Sequence, residues 1–245
     1  MRRLLLSSVF IGAFAFAAVA NAPLSFVMKA SGLDAKGISW QQARGSLWHG
    51  QIMRLTIKGD QAGAIEGDFS LIRFVRGQPA HLLRWSGPFG HGSAFAGFSR
   101  DGVRLKDGRA SARFDATRIS AIFPAQDVSL HLSDVSMELG RDGCRSASGN
   151  VSTDALAHIS AAYGATWPEL TGFLSCEQGE LVISVKGQAA DGTQIAAKAY
   201  LKGGGQLELW DVPDSKTNAL LIAGFTNEAG KYVYLQQSPN GEASQ

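Results

Sequence analysis

The sequence predicts an all-β protein: a large antiparallel meandering sheet, curved or two-layered, with one or two short helices, preceded by an N-terminal transmembrane helix. Three observations point there. Apolar and polar residues alternate with period two along several stretches, as in strands with one dry face. Glycine is abundant, 29 of 245 residues, and it punctuates those stretches while charge stays modest; that composition fits a turn-rich β chain better than a disordered chain or a helical bundle. Finally, Met1-Arg2-Arg3 runs directly into an uncharged apolar segment from Leu4 to Ala20.

At about seventeen residues this segment is near the lower limit for crossing hydrocarbon. Continuation through Pro23, Leu24, Phe26, Val27 and Met28 would carry it toward a full span, which makes residues 1–28 a short cytoplasmic N-terminus and signal anchor. A cleaved signal peptide is the competing reading, since Ala18-Val19-Ala20 and Ala20-Asn21-Ala22 both resemble small-residue cleavage sites. Arg2 and Arg3 favour a cytoplasmic N-terminus, so either reading exports everything after about residue 25. The predicted localisation is the bacterial inner membrane, single-pass, with the bulk of the chain periplasmic.

Residues 29–236 form the predicted β domain, long enough to bury its own core. Met53, Leu55 and Ile57 alternate with Arg54, Thr56 and Lys58; Ala110, Ala112 and Phe114 with Arg109, Ser111 and Arg113; Val128, Leu130 and Leu132 with Ser129 and His131. Leu181, Ile183 and Val185 continue the pattern, followed by Ile195, Ala197, Ala199 and Leu201, then Leu207 and Leu209. Asp-Gly pairs beginning at Asp101, Asp107, Asp142 and Asp191 fall between such runs and predict hairpin turns, where positive φ must be tolerated.

Two helical interruptions are expected. Leu156, Ile159 and Tyr163 recur at helical spacing over Asp154 to Tyr163, with Thr153 as N-cap and Gly164 as the stop; Thr117 to Phe123 is a weaker candidate ended by Pro124. If the domain is bilobed, the division is expected near 114–126. The polar stretch 237–245 reads as a flexible tail.

The chain has two cysteines, Cys144 and Cys176. Export together with one cysteine pair implies a disulfide and an oxidising compartment. A reactive thiol pair is disfavoured because redox catalysts usually use Cys-X-X-Cys. The predicted bridge closes a loop containing the Asp154 segment and Trp167-Pro168.

Motifs of catalysis are missing from the residue order. There is no Gly-X-Ser-X-Gly elbow, phosphate-cradling loop or dinucleotide fingerprint, and the five histidines show no zinc-ligand spacing. The expectation is a non-enzyme with no cofactor and no metal. A net charge of +2 argues against nucleic acid as the main partner. Cations do concentrate locally, at Arg100, Arg104, Lys106, Arg109, Arg113 and Arg118. A solvated sheet face is the plain reading of this stretch; a face toward anionic headgroups or an acidic partner, with Arg104, Lys106, Arg109 and Arg113 as its candidates, is the functional one.

Gly45-Ser46-Leu47-Trp48-His49-Gly50 comes just after the anchor and its Pro-Leu stretch, at the start of a strand. Gly45 and Gly50 would bracket a tight turn, with Trp48 as a buried plug on the plain reading and an aromatic exposed to dock a partner on the functional one; Trp40, Trp85, Trp167 and Trp210 are read as core in the same way. The element is similar to the Gly-Thr-X-Trp-X-Gly of type II secretion system protein N, also called general secretion pathway protein N. The segments Cys144 to Val151 and Gly172 to Leu181, with a closing strand ending in Tyr200, resemble that family's paired-cysteine region. The resemblance covers residues 4–212. It implies a non-catalytic inner-membrane component of the machinery that exports folded proteins from the periplasm, with other components of the inner-membrane platform as partners. An anchored β-groove that binds or transfers lipid is the alternative.

Overall fold

The computed structural model describes residues 21–115, 127–157, 167–201 and 203–236. Every strand pairs antiparallel, and the chain divides into two compact units, Met1–Gly97 and Phe98–Gln245. The division falls between Gly97 and Phe98 and not near 114–126, because the strands on either side of 116–126 pair with each other and belong to the same unit.

The first unit contains helix α1 (Leu24–Ala30), a 3-10 turn (Leu33–Lys36), β1 (Ile38–Ser39), β2 (Gln42–Gly45), β3 (His49–Ile57), β4 (Asp60–Phe69), helix α2 (Leu71–Val75), β5 (His81–Gly87) and β6 (Gly90–Ser99). β1 and β2 pair with β3 in one register and form two pieces of an edge strand broken at Trp40 and Gln41; β3, β4, β5 and β6 follow in order. Lys58 and Gly59 connect β3 to β4 with φ of 51° and 94°. Positive φ at both central residues is the signature of a type I′ turn, whose twist matches that of the strands.

The expected alternation in β3 is interrupted. Arg54 has φ of 51°, and the β3–β4 register shifts between Ile52 and Leu55 and again before Thr56. The extra residue in β3 is matched by one in β4, so pairing resumes. Leu55 is buried, but Ile57 is exposed. Nor do Leu24 to Met28 extend the apolar N-terminal run. They fold onto this unit: Pro23 bridges Ser46, Leu24 Cδ2 occupies the space beside Gly50, and Met28 is buried. Residues 1–20, where the transmembrane helix is expected, lie outside the described residues. Among those described, no helix is long and apolar enough to cross a membrane.

The second unit contains β7 (Gly102–Asp115), β8 (Asp127–Gly140), β9 (Gly143–Thr153), β10 (Leu170–Glu177), β11 (Glu180–Gln188), β12 (Gln194–Tyr200), β13 (Gly205–Trp210), helix α3 (Asp214–Ile222), β14 (Thr226–Glu228) and β15 (Lys231–Gln236). β7 through β13 pair consecutively, and β15 then β14 complete the order. The alternation foreseen on β11, β12 and β13 is used, with Val185, Ile195 and Leu209 buried in one cluster and Leu130 and Leu132 of β8 packed against it; Val135, Val151, Leu170 and Leu174, which the alternation did not single out, complete that cluster. Phe225 and Tyr232, beyond α3, join that cluster, and Leu220 of α3 packs against it.

Helices are the main difference from expectation. Among the described residues three short ones occur, at Leu24–Ala30, Leu71–Val75 and Asp214–Ile222, and none was expected as a helix in the folded domain. The Thr117–Phe123 candidate lies outside the described residues. So does most of the Asp154–Tyr163 candidate, from residue 158 on. At its start, the Thr153 hydroxyl accepts a hydrogen bond from the Ala155 N–H at 3.2 Å and donates to the Ser129 carbonyl at 2.8 Å. The first is the bond an N-cap makes. Gly224, at φ of 90°, ends α3.

Asp191 tethers α3 to the β11–β12 turn. Its carboxylate accepts from the Thr193 N–H at 3.1 Å and pairs with Lys216 of α3, whose ammonium lies 5.2 Å from the centre of the Trp167 ring. The hydrogen bond from Lys216, then that from Thr193, lowers the Asp191 pKa to about 2. A lowered carboxylate pKa stabilises the fold above the unfolded-state value, and that stabilisation disappears as pH falls through the folded-state value. Solvent screening of this partly exposed pair limits it to about 1 kcal/mol. Asp191→Asn is therefore expected to lower stability by about 1 kcal/mol at neutral pH and by almost nothing near pH 2. Thermal unfolding of both proteins across that range checks it, and an equal loss at both ends would refute the charge-based account.

Candidate functional site

The Gly45–Gly50 element is the β2–β3 hairpin. Gly45 opposes Gly50 in register, and the Ser46 N–H donates to the His49 carbonyl at 2.9 Å. The Ser46 hydroxyl accepts from the N–H groups of Trp48 and His49, both at 3.3 Å. Gly45 has φ of 83°, and a Cβ there would run into the His49 carbonyl. Both features require glycine. Trp48 corrects the expectation of a buried plug: it is 37% exposed and touches Phe69 edge-on, with centroids 4.7 Å apart. The turn leaves the ring at the end of the β2–β3 pair. The other four tryptophans are partly buried. Trp85 donates to the Ala62 carbonyl at 2.6 Å and Trp210 to the Gln194 side chain at 3.0 Å.

Beside Trp48, Asp68 accepts from both His49 and Arg84. The Arg84 hydrogen bond, with a smaller contribution from His49, holds the Asp68 carboxyl below its ordinary range. This triplet is a cross-strand hydrogen-bond network at the strand ends, with the Arg84–Asp68 ion pair at its centre.

Cys144 and Cys176 form a disulfide with Cα atoms 5.6 Å apart. Its position explains its use. The β9–β10 ladder covers Asn150–Thr153 and Leu170–Phe173, and the bridge holds the same two strands together beyond it. Cys144 also donates its N–H to the Gly179 carbonyl at 2.7 Å. The bridge is on the dry face, since Cys144 opposes Leu139 and Cys176 opposes Leu181.

The cationic candidates come together through a feature of the backbone. In β7, Arg104 and Lys106 are even-numbered while Arg109 and Arg113 are odd-numbered, so an unbroken strand would put the two pairs on opposite faces. Asp107, at φ of 53°, bulges the strand: the register shifts between Leu105 and Gly108 and is restored by Ala110 through an extra residue in β8. All four cations are exposed, while Gly108 and its partner Val135 are buried. The bulge thus assembles one exposed row. Arg104 pairs with Glu138 at 3.3 Å, which Arg145 also approaches at 3.9 Å. Among the described residues, Lys106, Arg109 and Arg113 make no ion pair. Three of the four Asp-Gly pairs lie in turns as expected; the Asp107 pair instead supplies this bulge, because a bulge and a turn make the same demand for positive φ.

A family model described as type II secretion system (T2SS), protein N matches residues 36–234. The chain belongs to the type II secretion system protein N family. No curated protein and no solved structure gives a significant match. Membership makes the protein a component of the type II secretion machinery. The match runs past residue 212, where the resemblance in the sequence stopped, and so includes Phe225, Tyr232 and Val233, which complete the core.

One groove of about 440 Å³ opens where β8, β9, β10 and β11 run side by side, lined by His131, Ser133, Asn150, Thr171, Phe173 and Lys186 among others. Leu132 and Val151 join Phe173 in the lining, so polar and apolar groups share it. The apolar face of the same strands is covered by Phe225, Trp167 and Leu220. Among the described residues, no group of three His, Cys, Asp or Glu side chains is placed to hold a metal ion. Sequence reasoning missed α2. Its signal was available, as Leu71, Ile72, Phe74 and Val75 form an apolar run interrupted by Arg73.

Proposed function

We propose that this protein N family member is anchored in the inner membrane by residues 4–20, exposes its β units to the periplasm, and acts without catalysis by contact with other components of the secretion platform. The observation that carries this reading is the exposed row on β7, where a bulge brings Arg104, Lys106, Arg109 and Arg113 to one face and leaves three of them without an ion-pair partner among the described residues. Such a row suits an acidic protein surface. The disulfide supports a periplasmic location, because cytosolic thiols are kept reduced. The lipid-carrying alternative has less support, since the apolar face of these strands is filled by Phe225, Trp167 and Leu220.

The test is complementation of a deletion strain with the wild-type chain and with Arg109→Glu/Arg113→Glu. Secreted proteins are expected to accumulate in the periplasm of the deletion strain and to remain there with the double variant at normal protein levels. Normal secretion in the deletion strain would sink the reading. Full rescue by the double variant would remove the cationic row from it.

A further inference from the structure

Helix α2 is built inside out. In water, a short helix of sequence Leu-Ile-Arg-Phe-Val is expected to turn its arginine to solvent and its apolar side chains inward. Here Arg73 points into the unit: its guanidinium carbon lies 3.6 Å from the Phe95 ring centroid, and its Nε donates to the Pro79 carbonyl at 3.1 Å. The apolar residues face outward instead, Ile72 being 67% exposed and Val75 78%, with Leu71 and Phe74 similar. The excursion is pinned, with the Ser70 N–H donating to the Ala80 carbonyl at 2.8 Å and the Gln78 N–H to the Arg73 carbonyl at 3.0 Å. An apolar surface held outward in this way marks a contact with something other than water.

The path of the chain identifies that contact. Phe74 packs against Phe69 at 5.6 Å and Phe69 against Trp48, the partly exposed ring of the β2–β3 hairpin. In that hairpin Ser46 is bridged to Pro23, three residues after the apolar segment 4–20 ends. Three residues span at most about 10 Å. Ser46, in the hairpin that carries Leu47 and Trp48, is therefore tied close to the end of the apolar segment, and α2 reaches that hairpin through Phe74 and Phe69.

We propose that this end is a lipid-facing surface: Leu71, Ile72, Phe74 and Val75 enter the interfacial zone of the bilayer, Trp48 sits at the water boundary, and exposed Arg76 meets headgroup phosphates. It rests on the reading that residues 4–20 anchor the chain. Tryptophan and arginine suit those depths, since an amphipathic ring favours the interface and a guanidinium pairs with phosphate. The arrangement would hold the β2–β3 end down and restrict how the first unit tilts on its tether.

The full chain can test this, because both native cysteines are bonded and an added one is labelled alone. Ile72→Cys, with Val75→Cys as an independent second site, is coupled to a polarity-sensitive fluorophore and reconstituted into vesicles of phosphatidylethanolamine and phosphatidylglycerol. Gln61→Cys, exposed at the far end of β3 and β4, is the control. The probes on α2 are expected to shift to the blue and to be quenched by nitroxide-bearing phospholipid, while the control does neither. A chain that does not float with the vesicles defeats the anchor and this surface together. Flotation with no quenching at either α2 site overturns this surface alone, and a blue shift without lipid quenching does so in favour of a protein contact.

Discussion

Replacing Cys144 and Cys176 together by serine is expected to destabilise the second unit by about 3 to 4 kcal/mol and to lower its unfolding midpoint by about 10 °C. The size follows from the loop that the bridge closes, with a sequence separation of 32. Its location makes the effect specific. β9 and β10 share a ladder over Asn150–Thr153 and Leu170–Phe173, and the disulfide holds them where that ladder has ended. Hydrogen exchange should therefore show protection lost first in β9 and β10, with β3, β4 and β5 unchanged. Calorimetry of the double variant against the oxidised protein supplies the magnitude. Equal midpoints would mean that the bridge constrains nothing the core does not already hold.

Ile195→Ala is expected to cost about 3 to 4 kcal/mol, comparable to the loss of the bridge. Ile195 is 1% exposed and stands opposite Leu209, itself buried, in the cluster that also takes Val185 from the neighbouring strand. Truncation leaves a cavity that strands on both sides cannot close without breaking their ladders. Denaturant unfolding should show a lower midpoint with an unchanged slope. A cost below about 1 kcal/mol would show that α3 and Phe225 collapse into the space.

The same residues show which parts of the architecture are readable in one dimension. Ile195, Leu207 and Leu209 lie on the dry face that their spacing predicts, because period two is a local property and every backbone group in a regular ladder obeys it. The disulfide was legible for a different reason: with two cysteines in the chain there is only one pairing. Ile57 shows where this stops. It alternates correctly with buried Leu55, yet at the end of β3, beside the Lys58-Gly59 turn, it is 43% exposed. Nor does any residue type demand the bulge at Arg54, and the extra residue in β4 that compensates it is visible only once the strands are paired. The Trp48 ring was misjudged for a related reason, since its burial depends on what covers the end of the sheet.

Composition and spacing carry the all-β class, the main strands of the second unit, the cysteine pairing and the family, since these rest on alternation, residue counts and short motifs that survive without coordinates. The candidate surfaces required the fold. Even- and odd-numbered cations share one row because a left-handed residue at Asp107 reverses the parity of β7, and α2 shows its apolar side because Arg73 finds Phe95 and the Pro79 carbonyl inside the unit. Both depend on contacts between residues distant in sequence, and a side chain's direction is set by the partner that holds it.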